Sequence, residues 1–382
     1  MSTIKTKVIV ISDTHGKCFP HGETLTQQVD VVIHCGDLTQ HSKLDEFRQT
    51  LSLLRSFNAP LKIAIAGNHD FSLDPVAFPA KLVEAYKIDP ALENDQELVT
   101  KEFGTPGEAR KLLDDAAQDG VVFLDEGNHY FTLDNGAALN IYASPYTPFT
   151  EPWGFTYNPE SHHAFDIDPE VDIVITHGPP RGIMDITADR RRIGCPQLFA
   201  AVARARPKMH CFGHVHGGWG AKLASWRPEI SEHPSHFADI DNGKSRFIAN
   251  LARLCGSDFE TAGERARKNE IARSEARGCF EVSCEEIKLD SSRAAEAAGG
   301  QAAVEESTLF VNAALESGGE LRHLPWLIEI DLPRRSASRN HKVAGEKPDS
   351  KRKRSPSVSS AKENVESGSV DGHTQGKRGW WT

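Results

Sequence analysis

The sequence predicts an α/β fold built from parallel βαβ units. Two observations support this prediction: several apolar, β-branched runs are typical of buried strands, and strands alternate with a helix in the first third of the chain. The runs lie at residues 7–12, 29–35, 61–66 and 171–175, with a shorter one at 209–212. Each run ends at a polar cluster. Because ligands bind at the carboxyl ends of strands in open α/β sheets, we expect a functional site at one sheet edge.

The remaining elements follow from composition and turn signals. Helices are expected at residues 42–56, 107–118 and 259–276, although the apolar face of the last is thin. A strand at 121–124 precedes a hairpin with strands 129–133 and 138–143. Asn135-Gly136 is a strong signal for the hairpin turn between them. Strands at 308–314 and 326–332 close the ordered part of the chain.

Composition divides the chain further. Residues 223–305 are polar and rich in Ala, Glu, Arg and Ser, which indicates a low-regularity, partly disordered insertion. Such an insertion could gate substrate or recruit a partner, but an inert loop is the default. Residues 334–382 have almost no apolar content, and we expect a disordered basic tail. The expected core domain therefore combines residues 1–222 with the closing strands at 306–333.

The net charge of −10 is unevenly distributed. From Arg334 onward, twelve Lys and Arg residues against five Asp and Glu give +7, which leaves −17 for the rest of the chain. An acidic body repels a phosphate backbone, so we expect no general nucleic-acid binding by it. Residues 351–356 are a candidate nuclear localisation patch beside the phosphorylatable Ser355, although short basic runs are also common in disordered tails.

Other features bear on location and partners. No stretch of 18 or more apolar residues occurs, so we expect no transmembrane helix and no membrane partner. The N-terminus runs into the first strand without a signal-peptide pattern. The seven cysteines are odd in number and scattered, which is typical of a reducing compartment. We expect a cytoplasmic location, with the nucleus as an alternative if the basic tail is a signal; the oligomeric state is left open.

The polar clusters at the strand ends carry metal-ligand side chains. Their mixed oxygen and nitrogen donors favour Mn, Fe, Zn or Co over Ca, and the absence of a Cys-x-x-Cys pair argues against a structural zinc site. The candidate ligands are Asp13, His15, Asp37, Asn68, His177, His214 and His216. Seven ligands are too many for one ion. We therefore expect two divalent metal ions about 3.5–4 Å apart that share one carboxylate.

Each candidate ligand also has a structural interpretation. Asp13 and Asn68 are explained equally well as turn residues after strands. His177 alone is better explained as a core histidine. His214 and His216 are harder to explain in this way, because one intervening residue places both on the same face of an extended segment. Taken together, the clusters favour a metal site.

In order, the clusters resemble those of the calcineurin-like metallophosphoesterase superfamily. The pattern is Asp-x-His, Gly-Asp, Gly-Asn-His-Asp, His-Gly and Gly-His-x-His over residues 6–222, and the resemblance resumes at 308–333. Segments 35–39, 176–180 and 309–314 are similar to the branch called metallophosphoesterase domain-containing proteins. The resemblance implies a four-layer α/β/β/α sandwich of two mixed β-sheets, with the metals at one edge.

The resemblance also implies a role for each polar residue. The first metal ion would be held by Asp13, His15 and His216, the second by Asn68, His177 and His214, and Asp37 would bridge them. His69 would be the catalytic general acid, and a metal-bridging hydroxide the nucleophile. Many family members carry a carboxylate three residues after the bridging aspartate, where this chain has Gln40. The group that orients His69 is therefore open.

These residues imply a metal-dependent phosphoric ester hydrolase. The branch resemblance favours small phosphodiester substrates, cyclic nucleotides in particular. One alternative is a catalytically weak binding or scaffold module, against which the intact ligand set counts. The other is a phosphomonoesterase acting on phosphoproteins, which predicts an Arg that holds the phosphate; Arg181 is the close candidate. Trp153 and Tyr157 are candidates for either a base-stacking wall or a loop anchor.

Overall fold

The structure is a computed structural model that describes residues 2–19, 25–90, 95–151, 153–251, 263, 278–287 and 306–335. These residues belong to a compact unit within residues 1–337. Apart from residue 263, the helix predicted at 259–276 lies outside the described residues. The predicted basic tail lies outside them from residue 336 onward.

The first half of the chain forms the parallel part of a six-stranded sheet. Its parallel strands, in spatial order, are β1 (Thr3–Ile11), β2 (Val31–His34), β3 (Leu61–Ala64) and β4 (Val121–Phe123). On the other side of β1 lies the antiparallel β17 (Trp326–Pro333), followed by β13 (Phe280–Val282) at the edge. The strands predicted in this region are confirmed to within a few residues.

The second sheet has seven strands among the described residues. In chain order they are β5 (Gly127–Thr132), β6 (Ala138–Ser144), β9 (Ile173–Thr176), β10 (Met209–Phe212), β11 (Gly220–Trp226), β12 (Ile240–Asn250) and β14 (Ser307–Asn312). Their spatial order is β12-β11-β14-β10-β9-β6-β5. The central four pair in parallel; β5 pairs antiparallel with β6, β11 with β14, and β12 with β11. The predicted hairpin β5–β6 is confirmed.

Five α-helices and two pairs of short strands accompany the two sheets among the described residues. The helices are α1 (Leu44–Ser56), α2 (Ala77–Ile88), α3 (Gln96–Phe103), α4 (Glu108–Asp115) and α5 (Pro196–Ala205). Two-residue strands form the pairs β7 (Thr147–Pro148) with β8 (Thr156–Tyr157) and β15 (Glu316–Ser317) with β16 (Glu320–Leu321). Helices α1 and α4 were predicted. The other three are short or bury few residues, so their apolar periodicity is weak.

The two sheets pack face to face between helical layers. Val10 and Ile33 of the first sheet share a core with Ile173 and Val311 of the second. On the outer face of the first sheet lie α1 and α4, and α5 covers the outer face of the second. Each fully buried large apolar side chain contributes about 1.5–3 kcal/mol, so these three apolar layers hold the sandwich together. The predicted four-layer α/β/β/α fold is confirmed.

The segment predicted as a low-regularity insertion contains regular structure. Strand β12 pairs antiparallel with β11 at the edge of the second sheet, and β13 joins the edge of the first. Strand β12 has no clear sequence signal because its middle part, from residue 242 to 247, is exposed or half-buried. An edge strand that buries little surface lacks the continuous apolar run of a central strand.

The closing segment belongs to both sheets. Strand β14 lies between β10 and β11 in the second sheet, and β17 pairs along the whole of β1 in the first. We keep as a proposal that residues 1–222 and 306–333 form one domain interrupted by 223–305. No helix among the described residues is long and apolar enough to cross a membrane.

Candidate metal centre

The seven proposed metal ligands lie together at the carboxyl ends of five strands. Strand β1 is followed by Asp13 and His15, β2 by Asp37, β3 by Asn68, β9 by His177, and β10 by His214 and His216. Parallel strands end at a common edge, so residues two hundred positions apart in the chain meet here. A bridge between Ser12 and Ala314 joins the two sheets at this edge.

The ligand atoms form three overlapping groups. Within each group, one ligand atom per residue lies within 4.8 Å of the others. The groups are Asp13, His15 and His216; His15, Asp37 and His69; and Asp37, His177 and His214. We call the first group, with His216 at its rim, the open half, and Asn68, His177 and His214 the buried half; Asp37 lies between them. The structure therefore brings every predicted site residue into one cluster.

Asp37 lies between the two halves. Its Oδ2 is 3.8 Å from Nε2 of His15, and its Oδ1 is 3.4 Å from Nε2 of His177. Burial raises the pKa of Asp37, but the charges of the surrounding histidines, first of all His177, outweigh burial and hold that pKa well below its usual range. One carboxylate that presents an oxygen to each group has the geometry of a ligand shared by two ions.

His15 has the properties of a ligand whose ion would lie beside Asp37. Its Nδ1 donates to the backbone carbonyl of Thr39 at 3.1 Å, which leaves a lone pair on Nε2. That nitrogen is buried and has no hydrogen-bond partner. Burial lowers the pKa of His15 to about 4, so the ring is neutral near pH 7. A buried, unpartnered nitrogen is costly unless something binds it, and a cation fits this donor.

His177 and Asn68 form a pair of potential metal ligands in the buried half. Nδ1 of His177 donates to the carbonyl of Cys35 at 3.0 Å, and its Nε2 is 2.9 Å from Oδ1 of Asn68. Burial lowers the pKa of His177, but the charge of Asp37 outweighs this effect and raises it to about 9. With Nδ1 protonated, Nε2 and the amide oxygen face each other as acceptors, and a proton or a cation satisfies both.

Asp13 connects the loop between β10 and β11 to the centre. Its two carboxylate oxygens each accept from the backbone N–H of His214 at 3.1 Å, and Oδ1 is 3.3 Å from Nε2 of His216. Burial raises the pKa of Asp13, but its hydrogen bond to His216 and the charge of that ring hold it well below its usual range. The carboxylate is therefore ionised and available to a cation.

The backbone at the site is strained. Four proposed ligands have positive φ, namely Asp13 (53°), His15 (50°), Asp37 (53°) and His214 (66°). The left-handed region costs a non-glycine residue about 1–2 kcal/mol, although Asp and His tolerate it better than most. Strain of this kind clusters at functional sites, where the surrounding fold maintains it.

Gly36 provides space beside Asp37. Its φ is +96°, and a Cβ there would lie 2.6 Å from both the carbonyl oxygen of Ala66 and Nδ1 of His177. Any side chain at this position would therefore displace the neighbouring strand end or the His177 ring.

His69 is held by a backbone carbonyl. Its Nδ1 donates to the carbonyl oxygen of Gln40 at 2.8 Å, and its own N–H donates to Oδ1 of Asp37 at 2.9 Å. The main chain of Gln40 therefore occupies the orienting position that the sequence analysis left open after finding no carboxylate there. A carbonyl only accepts, so the proton is on Nδ1 and Nε2 is left for proton exchange.

Trp153 packs against His69. The two ring centroids are 4.6 Å apart, and Nζ of Lys81 lies 4.2 Å from the centroid of the Trp153 ring. The adjacent Gly154 donates its N–H to the carbonyl of Asn68, which ties this loop to the centre. Tyr157 instead donates to Sγ of Cys195. Of the two aromatics considered for a stacking wall, only Trp153 touches a proposed site residue directly.

Two supporting carboxylates were missed in the sequence analysis. Asp70 is fully buried and accepts from the N–H groups of Gly67, Leu38 and Thr39, so it ties two ligand loops together. Burial and the charge of Asp37 raise the pKa of Asp70 to about 7. Glu316 lies 2.5 Å from Nδ1 of His216. Asp70 stands in the Gly-Asn-His-Asp motif and was accessible from sequence, whereas nothing local marks Glu316.

Comparison with known proteins gives consistent matches. A model of the calcineurin-like phosphoesterase family matches residues 6–218. The proteins called metallophosphoesterase domain-containing protein 1 from Homo sapiens and Mus musculus are each 31% identical to the chain in an alignment of 234 residues that covers 56% of the chain. The chain spans 62% of the length of these relatives.

Among solved structures, purple acid phosphatase PPD1 from yellow lupin seeds matches with 15% sequence identity and a TM-score of 0.30. This match covers 60% of the present chain and 40% of the lupin chain.

Proposed function

Because the chain belongs to the calcineurin-like phosphoesterase family, we propose that it hydrolyses phosphate esters with two divalent metal ions as cofactors. The observation that carries this proposal is the position of Asp37, whose two carboxylate oxygens face separate histidine groups. We further propose that the substrates are small phosphodiesters.

The two halves of the centre would each hold one cation. Asp13, His15 and His216 suit the first and Asn68, His177 and His214 the second, with Asp37 shared. This assignment is supported by the orphaned Nε2 of His15 and by the facing acceptors of His177 and Asn68. When bound, a pair of divalent ions supplies an activated water nucleophile near neutral pH and neutralises negative charge on the phosphate oxygens.

His69 would protonate the leaving oxygen. The bond from Nδ1 to the Gln40 carbonyl fixes the ring, and an imidazolium in this position carries its second proton on Nε2. Trp153 covers part of the ring and limits its movement. The Gln40 position therefore does not weaken the case for a general acid, because a main-chain oxygen does the orienting.

The charges around the centre favour diesters over monoesters. Recognition of a monoester dianion usually employs a bidentate Arg. Arg181, the candidate closest in sequence, is exposed, and its guanidinium donates to the carbonyl of Arg192. A phosphodiester carries one negative charge fewer and needs less compensation beside two aspartates.

The test is a comparison of two substrates with Mn²⁺ supplied: bis(p-nitrophenyl) phosphate and p-nitrophenyl phosphate. We expect the wild type to prefer the diester. Asp37→Ala should lower diester turnover by about 10²–10³-fold or more, as for loss of a principal electrostatic group. Asp45→Ala is the matched control, because Asp45 is an exposed aspartate on α1.

Each outcome distinguishes the proposals. Preference for the monoester would contradict the phosphodiesterase proposal and support a phosphatase. Absence of turnover with two Mn²⁺ ions bound would support a binding module that keeps the fold. Equal diester turnover by Asp37→Ala and Asp45→Ala would contradict the proposal that Asp37 is a ligand shared by two metal ions.

A further inference from the structure

A small hairpin reaches the open half of the centre. Strands β15 and β16 are joined by Gly318 and Gly319, both with positive φ, which lets the chain reverse within two residues. The first residue of the hairpin is Glu316. Its carboxylate oxygen Oε2 lies 2.5 Å from Nδ1 of His216, and its side chain is only 12% exposed.

The hairpin is anchored beside a proposed ligand. Ala314 forms a parallel bridge with Ser12, and the N–H of Leu315 donates to the carbonyl of Ser12 at 3.0 Å. Ser12 immediately precedes Asp13. The other carboxylate oxygen of Glu316, Oε1, accepts from the backbone N–H of Gly319. Glu316 is thus held at both oxygens, on a segment fixed to the end of β1.

The ring of His216 is supported differently from the rings of His15 and His177. Nδ1 of His15 and Nδ1 of His177 both donate to backbone carbonyls in the buried interior. His216 instead lies in a short 3-10 turn after β10, and its side chain is 32% exposed. Its Nδ1 is bonded to the carboxylate of Glu316 rather than to a backbone carbonyl. Apart from this partner, the described contacts of its ring are with Asp13 and with the ring of His15, whose centroid is 5.4 Å away.

We propose that Glu316 is a positioning residue that fixes the ring of His216 and strengthens its Nε2 as a donor to the cation of the open half; this rests on the proposed dinuclear function. A carboxylate that accepts the Nδ1 proton of a histidine fixes its tautomer and makes the opposite nitrogen more basic. The Nε2 atom of His216 then faces Asp13 at 3.3 Å, where a shared cation would lie.

The test measures metal binding rather than turnover. Metal-free full-length protein is titrated with Mn²⁺ by isothermal titration calorimetry, for wild type, Glu316→Ala, Glu316→Gln and Glu320→Ala. Glu320 is the matched control: it lies on the second strand of the same hairpin, is exposed, and pairs with Arg322. Its removal deletes the same charge from the same element without touching a proposed ligand.

We expect the wild type to bind two Mn²⁺ ions. Glu316→Ala should weaken one of the two binding events by about 10–100-fold and leave the other unchanged. Glu316→Gln keeps an oxygen acceptor without the charge and should lose less affinity. Glu320→Ala should bind as the wild type does. If Glu316→Ala does not fold, as judged by circular dichroism, the near-isosteric Gln variant carries the test.

The contrary results separate the two proposals. Wild-type binding of two ions together with unchanged affinity in both Glu316 variants would overturn the positioning role and leave the proposed function intact. Equal weakening by Glu320→Ala would show a general effect of hairpin charge, and would also overturn it. A wild type that binds no Mn²⁺ would overturn the proposed function, and this inference with it.

Discussion

The buried half and the open half of the centre are built differently. In the buried half, His177 is fully buried and its Nδ1 is bonded to the carbonyl of Cys35 at the end of a central strand. In the open half, His216 is one-third exposed, and its Nδ1 is bonded to a side chain from a hairpin a hundred residues later. The core therefore fixes His177, and a peripheral hairpin fixes His216, whereas Asp13 and His15 of the open half are themselves buried.

This difference affects how freely the ligand side chains of each half can move. A ring held by a backbone carbonyl inside the packed interior, such as His177, has less freedom than one held by a side chain from a hairpin, such as His216. The open half adjoins His69 and Trp153, and it is where substrate and leaving group would meet protein side chains. Four perturbations test this difference between the halves, in order of decreasing effect.

The largest effect is expected from His69→Ala, which removes the proposed acid beside the open half. Turnover of a diester with an alkoxide leaving group should fall by about 10²–10⁴-fold, because such an oxygen needs a proton to depart. The loss of turnover of a diester with a p-nitrophenolate leaving group should be much smaller, because this group departs without a proton. Steady-state kinetics on the two substrates measure the difference, with the exposed His233→Ala as control. An equal loss on both substrates would argue against proton donation by His69.

Gly36→Ala should damage the buried half. The added Cβ would lie 2.6 Å from Nδ1 of His177 and from a backbone oxygen, at a φ of +96°. Crowding and backbone strain together should cost about 2–4 kcal/mol of unfolding free energy, measured by urea denaturation of the metal-free protein. Gly107→Ala is the control, because its φ is also positive but nothing lies near the added carbon. It should cost only about 1 kcal/mol; equal losses would contradict the packing argument.

Metal removal should loosen the open half more than the buried half. Hydrogen exchange of residues 215–218 and 314–321 should accelerate about tenfold or more on chelation, or roughly 1.4 kcal/mol, because few ladder bonds hold these segments. Residues 31–37 and 173–178 are strand ends within the sheets and should change less. Mass spectrometry of peptides reports both, with α1 as an internal reference. Equal acceleration in both halves would contradict the comparison.

The smallest effect is expected from Trp153→Leu. Loss of the aromatic contact with His69, worth about 0.5–1.5 kcal/mol, should lower turnover of alkoxide-leaving diesters roughly two- to tenfold. Trp153→Phe keeps a ring in this position and should restore most of the loss. If Phe and Leu behave alike in the kinetic assay, ring packing does not position His69.

Much of the fold was predictable because buried parallel strands have continuous apolar sequences. The runs leading to Asp13, Asp37 and His177 predicted β1, β2 and β9, and the predicted superfamily and branch are confirmed by the family model and the mammalian relatives. Helices α2 and α3 were missed. They bury few side chains, so their sequences carry little periodic signal.

The ligand set was predictable for a related reason. Each candidate sits within four residues of a strand end, so a local pattern marks it, and topology alone brings the strand ends together. The sequence alone could not show that the main-chain carbonyl of Gln40 replaces the expected carboxylate. Every residue has a backbone carbonyl oxygen whatever its side chain, so the sequence does not show where the Gln40 carbonyl points.

The layered α/β class, the order of the central strands along the chain and the identity of the candidate ligands are all evident from the amino-acid sequence. Tertiary structure alone decided that Asp37 faces both halves, that Trp153 covers His69, and that Glu316 supports His216. These contacts differ from the sequence signals in the separation of the residues involved. Hydrophobic periodicity and motif spacing depend on residues close together in the chain, whereas these contacts join distant segments that come within bonding distance only when the sheets pack.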